Sequence, residues 1–352
     1  MTPEGIKYTG SKQKILPYIL KMAEGLDVHS VLDAFTGSTR VAQAFAQQGK
    51  CVTANDTAEW SEVFATCYLL ANKPDAFYQP LIDELNALPG IDGWFSAHYG
   101  GEGPDGKRPF QLKNTRRLDA IRSHIDTLDL AWEDKCVLLT SLILALDDVD
   151  NTLGHYAAYL SGWSRRSYND LTLRLPRRFP LTGHNRVLRQ DVFDVVGDYH
   201  DLAYLDPPYG SNNRKMPASR VRYAAYYHIW KTVVLNDQPA VFGKANRRVD
   251  SRDGVATSVF EDFRQTPDGR YVAMEAIDRL IRGTNAHYIM LSYSSSGRAT
   301  RDELRDILSS NGTLLQEQEI DHRRNVMSRL RWTNEWINSD DKYKEYLFLM
   351  EK

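Results

Sequence analysis

The chain has 352 residues, of which 42% are hydrophobic and 26% charged, with 44 Lys and Arg against 46 Asp and Glu. This is globular composition and excludes intrinsic disorder, while a formal charge of −2 excludes a uniformly basic nucleic-acid coat and requires charge to be weighed segment by segment. At roughly 150 residues per domain, the length suits two units or one domain with a large insertion, and the order of elements favours the insertion.

Residues 12–25 carry Ile15, Ile19 and Met22 at helical spacing after the turn-like Tyr8-Thr9-Gly10-Ser11. The apolar run Ser30-Val31-Leu32-Asp33-Ala34-Phe35 stops at Thr36-Gly37-Ser38 and resumes helically with Val41, Ala42, Ala44 and Phe45. That is strand, glycine turn, helix. A second buried strand, Lys50 to Ala54, ends at Asn55-Asp56, and this βαβ opening implies a parallel sheet.

The alternation then breaks. Residues 76–182 offer helical patterns at 78–88, 115–129 and 132–149, with a glycine-rich loop at 100–106 between them. Strand character returns at Val187-Leu188 and at Leu202-Ala203-Tyr204-Leu205, which runs into Asp206-Pro207-Pro208-Tyr209. Tyr288 to Tyr293 is another buried strand, 300–310 a helix begun by Thr300 with Glu303 three residues on, and Tyr346 to Met350 a last strand. The expected layout is a discontinuous sheet domain, 1–75 and 183–352, interrupted by 76–182.

Asp206-Pro207-Pro208-Tyr209 carries the strongest chemical signal. At average residue usage such a string arises by chance in roughly one chain in a thousand of this length. It lies just beyond the carboxyl end of a buried strand, where parallel α/β sheets bind ligands. Two prolines fix φ and hold the carboxylate and the ring in a set relation. A ring to stack on and a carboxylate to accept N–H bonds suit an exocyclic amine on a planar base, and accepting those bonds turns the nitrogen lone pair toward an electrophile. A proline strand terminator with a surface tyrosine is the plain structural alternative.

This string resembles motif IV of the D12-class, α-group S-adenosylmethionine-dependent DNA adenine-N6 methyltransferases. Tyr8-Thr9-Gly10-Ser11-Lys12 is similar to that family's motif X, and Asp33-Ala34-Phe35-Thr36-Gly37-Ser38-Thr39 to its motif I, with Thr39 where the family usually has a second glycine. The resemblance implies a Rossmann-like class I methyltransferase mixed sheet with helices on both faces, and a mainly helical target-recognition region at 76–182. It implies S-adenosylmethionine as cofactor, met by Tyr8, Lys12, Asp33, Phe35, Gly37, Thr39, Asp56, Asp191 and Asp206, with Asp206, Pro207 and Tyr209 catalytic. Asp56 ends the second strand about twenty residues after the first turn, where a carboxylate can accept from ribose hydroxyls. Asp191 matches the family position that meets the cofactor adenine.

Basic residues gather in three stretches: Arg165, Arg166, Arg174, Arg177 and Arg178; Arg214, Lys215, Arg220, Arg222, Lys244 and Arg247, interleaved with Tyr223, Tyr226, Tyr227 and Trp230; and Arg323 and Arg324. Cations supply phosphate affinity and aromatics stack on displaced bases, so these stretches are the expected contacts to double-stranded DNA, against the alternative of solvated faces or, for the aromatics, a helix core. Asp150 to Tyr156 resembles a segment of many D12-class insertions.

Cys51, Cys67 and Cys136 have no paired spacing, and the histidines no metal-ligand spacing, so neither a metal nor a disulfide framework is expected. No apolar run approaches the ~18 residues of a spanning helix, and the start is no secretory leader, so a soluble cytoplasmic protein without a membrane partner is expected. The expected function is site-specific adenine-N6 methylation in restriction-modification or phage and host DNA marking, with a cognate restriction endonuclease as candidate partner. Methylation of cytosine N4 or an RNA adenine, and a non-catalytic DNA-binding specificity subunit, are the competing readings.

Overall fold

The computed structural model describes residues 1–104, 106, 108–210, 223–252, 258–321 and 344–352. Its centre is a seven-stranded sheet of β1 (Ser30–Asp33), β2 (Cys51–Asn55), β3 (Arg186–Leu188), β4 (His200–Leu205), β5 (Ala286–Ser294), β6 (Thr313–Asp321) and β7 (Lys344–Glu351). The spatial order is β6-β7-β5-β4-β1-β2-β3. The β1–β2, β1–β4, β2–β3 and β4–β5 pairs are parallel, whereas β7 runs antiparallel to both β5 and β6.

Alternation along the strands fills two layers. Val31, Leu202, Tyr204, Met290, Leu347 and Leu349 share one core with α1 (Leu16–Met22) and α2 (Arg40–Gln47). Leu32, Ala203, Leu205, Ile289, Leu291, Phe348 and Met350 face the other way, and three further helices cover them: α8 (Val192–Val195), α10 (Val272–Gly283) and α11 (Arg301–Asn311). A side chain buried on this period is worth about 1.5–3 kcal/mol, and truncating a central one such as Leu291 to Ala costs about 2–5 kcal/mol because the packed layer cannot close the cavity.

A third core lies outside the sheet. It joins α3 (Glu59–Leu69) to α4 (Asp75–Ala87), α5 (Trp94–Tyr99), α6 (Leu112–Thr127), α7 (Trp132–Val149) and α9 (His228–Leu235). Packing is therefore continuous across the expected boundaries at 75/76 and 182/183, because apolar residues of α3 and of α9, including Trp60, Phe64 and Trp230, belong to the same cluster as the helices of 76–182. The aromatic segment near 227 is helix core: Tyr227 and Trp230 are buried.

The expected helices and strands are found with small boundary shifts, and Thr300 with Glu303 forms the capping box that starts α11. Besides the short helices α5 and α8, three longer elements were not expected. Helix α3 is buried from Trp60 through Leu69 apart from Glu62, so it has no polar face to give a period. Helix α10 buries Ala273, Met274, Ile277, Leu280 and Ile281 on one stripe, a signal that was present but not used. Strand β6 is a largely polar edge strand, Thr313 to Asp321, with one buried residue, Ile320.

Counting outward from β1, the strands run 1-2-3 to one side and 4-5 to the other, so the connection reverses between β1 and β4. Open α/β sheets bind ligands at such a reversal, outside the carboxyl ends of the strands. Asp33 closes β1 and Asp206 follows β4 directly, which places both at this point. Because β7 is antiparallel, it delivers its first residues rather than its last to the same edge.

Candidate active site

The corner after β4 is braced from β5. The Arg298 amide donates to the Tyr209 carbonyl over 3.0 Å, and the Tyr209 ring meets Tyr293 edge-on at 5.2 Å. Gly210 turns away at φ +57°, and a Cβ there would lie 2.9 Å from Arg298 Nε, so glycine is needed both for the left-handed backbone and for the close approach.

Asp206 does not stand alone. Lys12 Nζ lies 2.9 Å from its buried Oδ1 and 2.5 Å from Glu345 Oε1, and donates to the Tyr209 hydroxyl over 3.3 Å. Glu345 also accepts from the Ser292 hydroxyl over 2.8 Å. Burial raises the Asp206 carboxyl above its ordinary value, with Lys12 pulling it back and Glu345 adding to the rise. Burial alone would depress the Lys12 ammonium, but Asp206 and Glu345 outweigh it and hold the proton on. Two carboxylates thus share one cation, which leaves net negative charge at the corner.

The turn after β1 is built on carboxylates. Asp33 Oδ2 accepts from the Thr36 hydroxyl at 2.9 Å and the Ala42 amide at 3.0 Å, while Oδ1 is buried without a hydrogen-bond partner. Burial lifts Asp33 to about 7. Gly37 sits at φ +48° and donates its amide to Asp56 Oδ2 over 2.8 Å. Thr39 keeps φ +64°, the left-handed backbone a glycine would take, and its hydroxyl accepts from Gln43 Nε2 over 2.8 Å. The departure from the family glycine therefore leaves the path of the chain intact. Asp191 caps α8 by accepting from the Phe193 amide over 3.0 Å.

A cavity of about 520 Å³ connects these parts, within the range of small-molecule sites. Tyr8, Lys12, Asp33, Phe35, Gly37, Asp56, Asp191 and Asp206 all line it. Thr39 is fully buried and shapes the turn from behind. Pro208 faces the cavity, whereas Pro207 and Tyr209 are not among its lining residues: the Tyr209 ring is held against Tyr293 and the Lys12 ammonium. The aromatic wall is instead Tyr8, Phe35, Trp60, Tyr223 and Tyr227, with Tyr8 stacked on Tyr227 at 4.7 Å. Among the described residues, the lining carries seven carboxyl side chains, Asp33, Asp56, Glu59, Asp191, Asp206, Asp250 and Glu261, against the cations Lys12, Arg40, Lys231 and Arg248, and this acidic excess, with Asp33 Oδ1 buried and unpartnered, suits a ligand that carries positive charge. S-adenosylmethionine is such a ligand, and these are the residues that would hold it.

The expected DNA cations divide. Arg177 Nε lies 3.0 Å from buried Glu4, Arg178 2.5 Å from Asp75, and Arg166 2.7 Å from buried Asp150, so each of these three is ion-paired within the protein. Arg247 donates to the Ser251 carbonyl over 2.7 Å and lies over the Phe242 ring. Arg165 and Lys244 are exposed. Arg214, Lys215, Arg220, Arg222, Arg323 and Arg324 lie outside the described residues. Glu345, Ser292 and Trp60 were not singled out as site residues, and Tyr223, expected beside DNA, lines the cavity. Among the described residues there is no group of His, Cys, Asp or Glu that could hold a metal, and no helix long and apolar enough to cross a membrane.

A family model described as D12 class N6 adenine-specific DNA methyltransferase matches residues 8–294. The chain is 28% identical to the modification methylase StsI of Streptococcus sanguinis, covering 86% of this chain and 46% of that protein. It is 26% identical to the type II methyltransferase M.FokI of Planomicrobium okeanokoites, over 99% of this chain and 53% of that one. It is also 26% identical to M.NlaIII of Neisseria lactamica, over 99% of each. The chain thus spans about half the length of the first two relatives and nearly all of the third.

Proposed function

The chain belongs to the D12 class N6 adenine-specific DNA methyltransferases, and on that premise we propose that it transfers a methyl group from S-adenosylmethionine to N6 of an adenine swung out of double-stranded DNA. The observation that carries this reading is the opening of the Asp206 corner into the same cavity as Asp33, Asp56 and Asp191. An amine held at the corner would share one enclosed space with a donor held on the carboxylate wall.

When bound, S-adenosylmethionine supplies an electrophilic methyl group on a sulfonium with a neutral thioether as leaving group. The protein's part is positioning. Asp33, Asp56 and Asp191 hold the positively charged donor, and Asp206 accepts an N–H of the target amine, directing its lone pair at the methyl carbon. N6 of adenine is engaged in pairing within the duplex, so the base must leave the stack first, as in other base-modifying enzymes. The aromatic wall from Tyr8 to Tyr227 offers faces against which an everted base can lie. Exposed Arg165 and Lys244 supply phosphate contacts, and the helical region 76–182 is assigned to target recognition. The names of the relatives, modification methylase and type II methyltransferase, support a modification role, and a restriction endonuclease of the same specificity is the partner proposed for that role.

Incubation with methyl-labelled S-adenosylmethionine and duplex DNA, followed by nucleoside chromatography, tests the reading. Label in N6-methyldeoxyadenosine supports it. Label in N4-methyldeoxycytidine, in RNA alone, or in no nucleoside contradicts it.

A further inference from the structure

Glu345 has no part in donor or base binding as assigned above, yet it is 4% exposed and sits beside a second, largely buried carboxylate, that of Asp206. Burying like charges together is unfavourable unless a cation and hydrogen bonds compensate. Here the compensation is Lys12 Nζ at 2.5 Å and the Ser292 hydroxyl at 2.8 Å, both on Oε1. Topology makes the arrangement possible. Glu345 pairs in register with Ser294 at the carboxyl end of β5, and only an antiparallel strand presents its opening residues there.

Lys12 commits hydrogen bonds to Glu345 and to the Tyr209 hydroxyl, and meets Asp206 Oδ1 as an ion pair at 2.9 Å. Oδ1 is buried, while the Asp206 side chain as a whole keeps 14% exposure and faces the cavity. The geometry points to Glu345 as a positioning residue for methyl transfer: it anchors the Lys12 ammonium so that this cation grips one oxygen of Asp206 from behind and leaves the carboxylate turned toward the target amine. Glu345 also prevents Lys12 from neutralising Asp206 completely, so the corner keeps the negative charge that an amine donor seeks. This inference rests on the adenine-methyltransferase reading and extends it to a residue on the far strand.

Among the described residues, the titratable groups that act electrostatically with Asp206 are Lys12, Glu345, Asp33, Tyr8, Tyr204, Tyr209 and Tyr223. Of these, Lys12 lowers its proton affinity and Glu345 raises it. Removing either charge must therefore move the acid limb of the rate profile in opposite directions. Single-turnover methyl transfer is measured across pH for the wild type, Glu345→Gln, Glu345→Asp and Lys12→Met, with donor affinity by calorimetry.

The expected result for Glu345→Gln is a rate lowered about tenfold, a donor Kd within about twofold of wild type, and an acid limb shifted to lower pH. Lys12→Met shifts the limb to higher pH, and Glu345→Asp, which restores the charge, returns it toward wild type. A limb that stays in place in Glu345→Gln, or that moves the same way in Glu345→Gln and Lys12→Met, overturns the inference. A merely structural glutamate would lower rate and stability without moving the limb. If the wild type itself transfers no methyl group to DNA, the functional reading fails; if it does and Glu345→Gln matches it throughout, only this inference fails.

Discussion

The amide of Gly37 donates to Oδ2 of Asp56 over 2.8 Å, so the glycine turn after β1 and the carboxylate after β2 form one unit. Asp56 Oδ1 in turn accepts from the Ala58 amide over 3.0 Å, fixing the start of α3. Asp56→Ala removes both anchors together with a negative charge on the cavity wall. Donor affinity is expected to fall about tenfold or more, and DNA affinity measured without donor to stay unchanged. Calorimetric and gel-shift titrations check the two halves separately; equal loss in both would mean that the turn supports the whole domain rather than the donor.

Thr39 is β-branched yet left-handed, at φ +64°. Such a backbone is strained for any residue but glycine. Thr39→Gly and Thr39→Ala both lose the hydroxyl that accepts from Gln43, but only glycine relieves the strain, so the glycine variant should be the more stable of the two by about 1 kcal/mol. Urea unfolding of the pair measures the difference, and an alanine variant as stable as the glycine one would place no strain at this turn.

Burial raises Asp33 and Asp147 from 3.8 to about 7. A carboxyl whose proton affinity is higher folded than unfolded contributes stability that is complete below 3.8 and is lost as pH climbs through about 7. Without donor, the protein should therefore grow less stable over this interval on account of these groups. Asp33→Asn keeps an oxygen to accept from Thr36 and Ala42 but cannot ionise, so its melting temperature should depend less steeply on pH and its donor affinity should drop. Melting curves at pH values of roughly 5 and 8 decide this, and an unaltered slope contradicts it.

The basic residues separate into two testable sets. Arg177 and Arg178 face Glu4 and Asp75, and Glu4 also accepts from the Tyr68 hydroxyl at 2.9 Å and Arg174 at 2.7 Å. Replacing Arg177 and Arg178 with Ala should lower stability by about 1 kcal/mol, since the pairs are partly exposed, with little change in the salt dependence of DNA binding. Replacing exposed Arg165 and Lys244 should instead flatten the slope of log affinity against log salt by about 2. The reverse pattern would show that the first doublet touches DNA.

What the sequence disclosed and what it concealed differ for physical reasons. The corner at Asp206 was legible because two prolines and a buried strand fix local geometry without help from distant residues, Asp33 and Asp56 because one closes a strand and the other directly follows one, and Asp191 through its match to the family position. The ion pair of Arg177 was hidden because its partner, Glu4, lies in a different part of the chain and only folding joins them. Glu345 was invisible for the same reason: it opens an ordinary apolar strand, and its meeting with Lys12 depends on β7 entering the sheet antiparallel beside β5. The Tyr209 ring meets Tyr293 edge-on, a contact that no spacing foretells.

The account depends most on Asp206 acting on the amine rather than on the donor. Asp206→Ala is compared with wild type in a single-turnover assay on DNA, with donor affinity determined on the same preparations. Transfer should fall by about a hundredfold or more while donor affinity changes little, as expected when an interaction made with the reacting group is removed. Methyl transfer at the wild-type rate, or a loss traced wholly to weakened donor binding, would contradict the assignment.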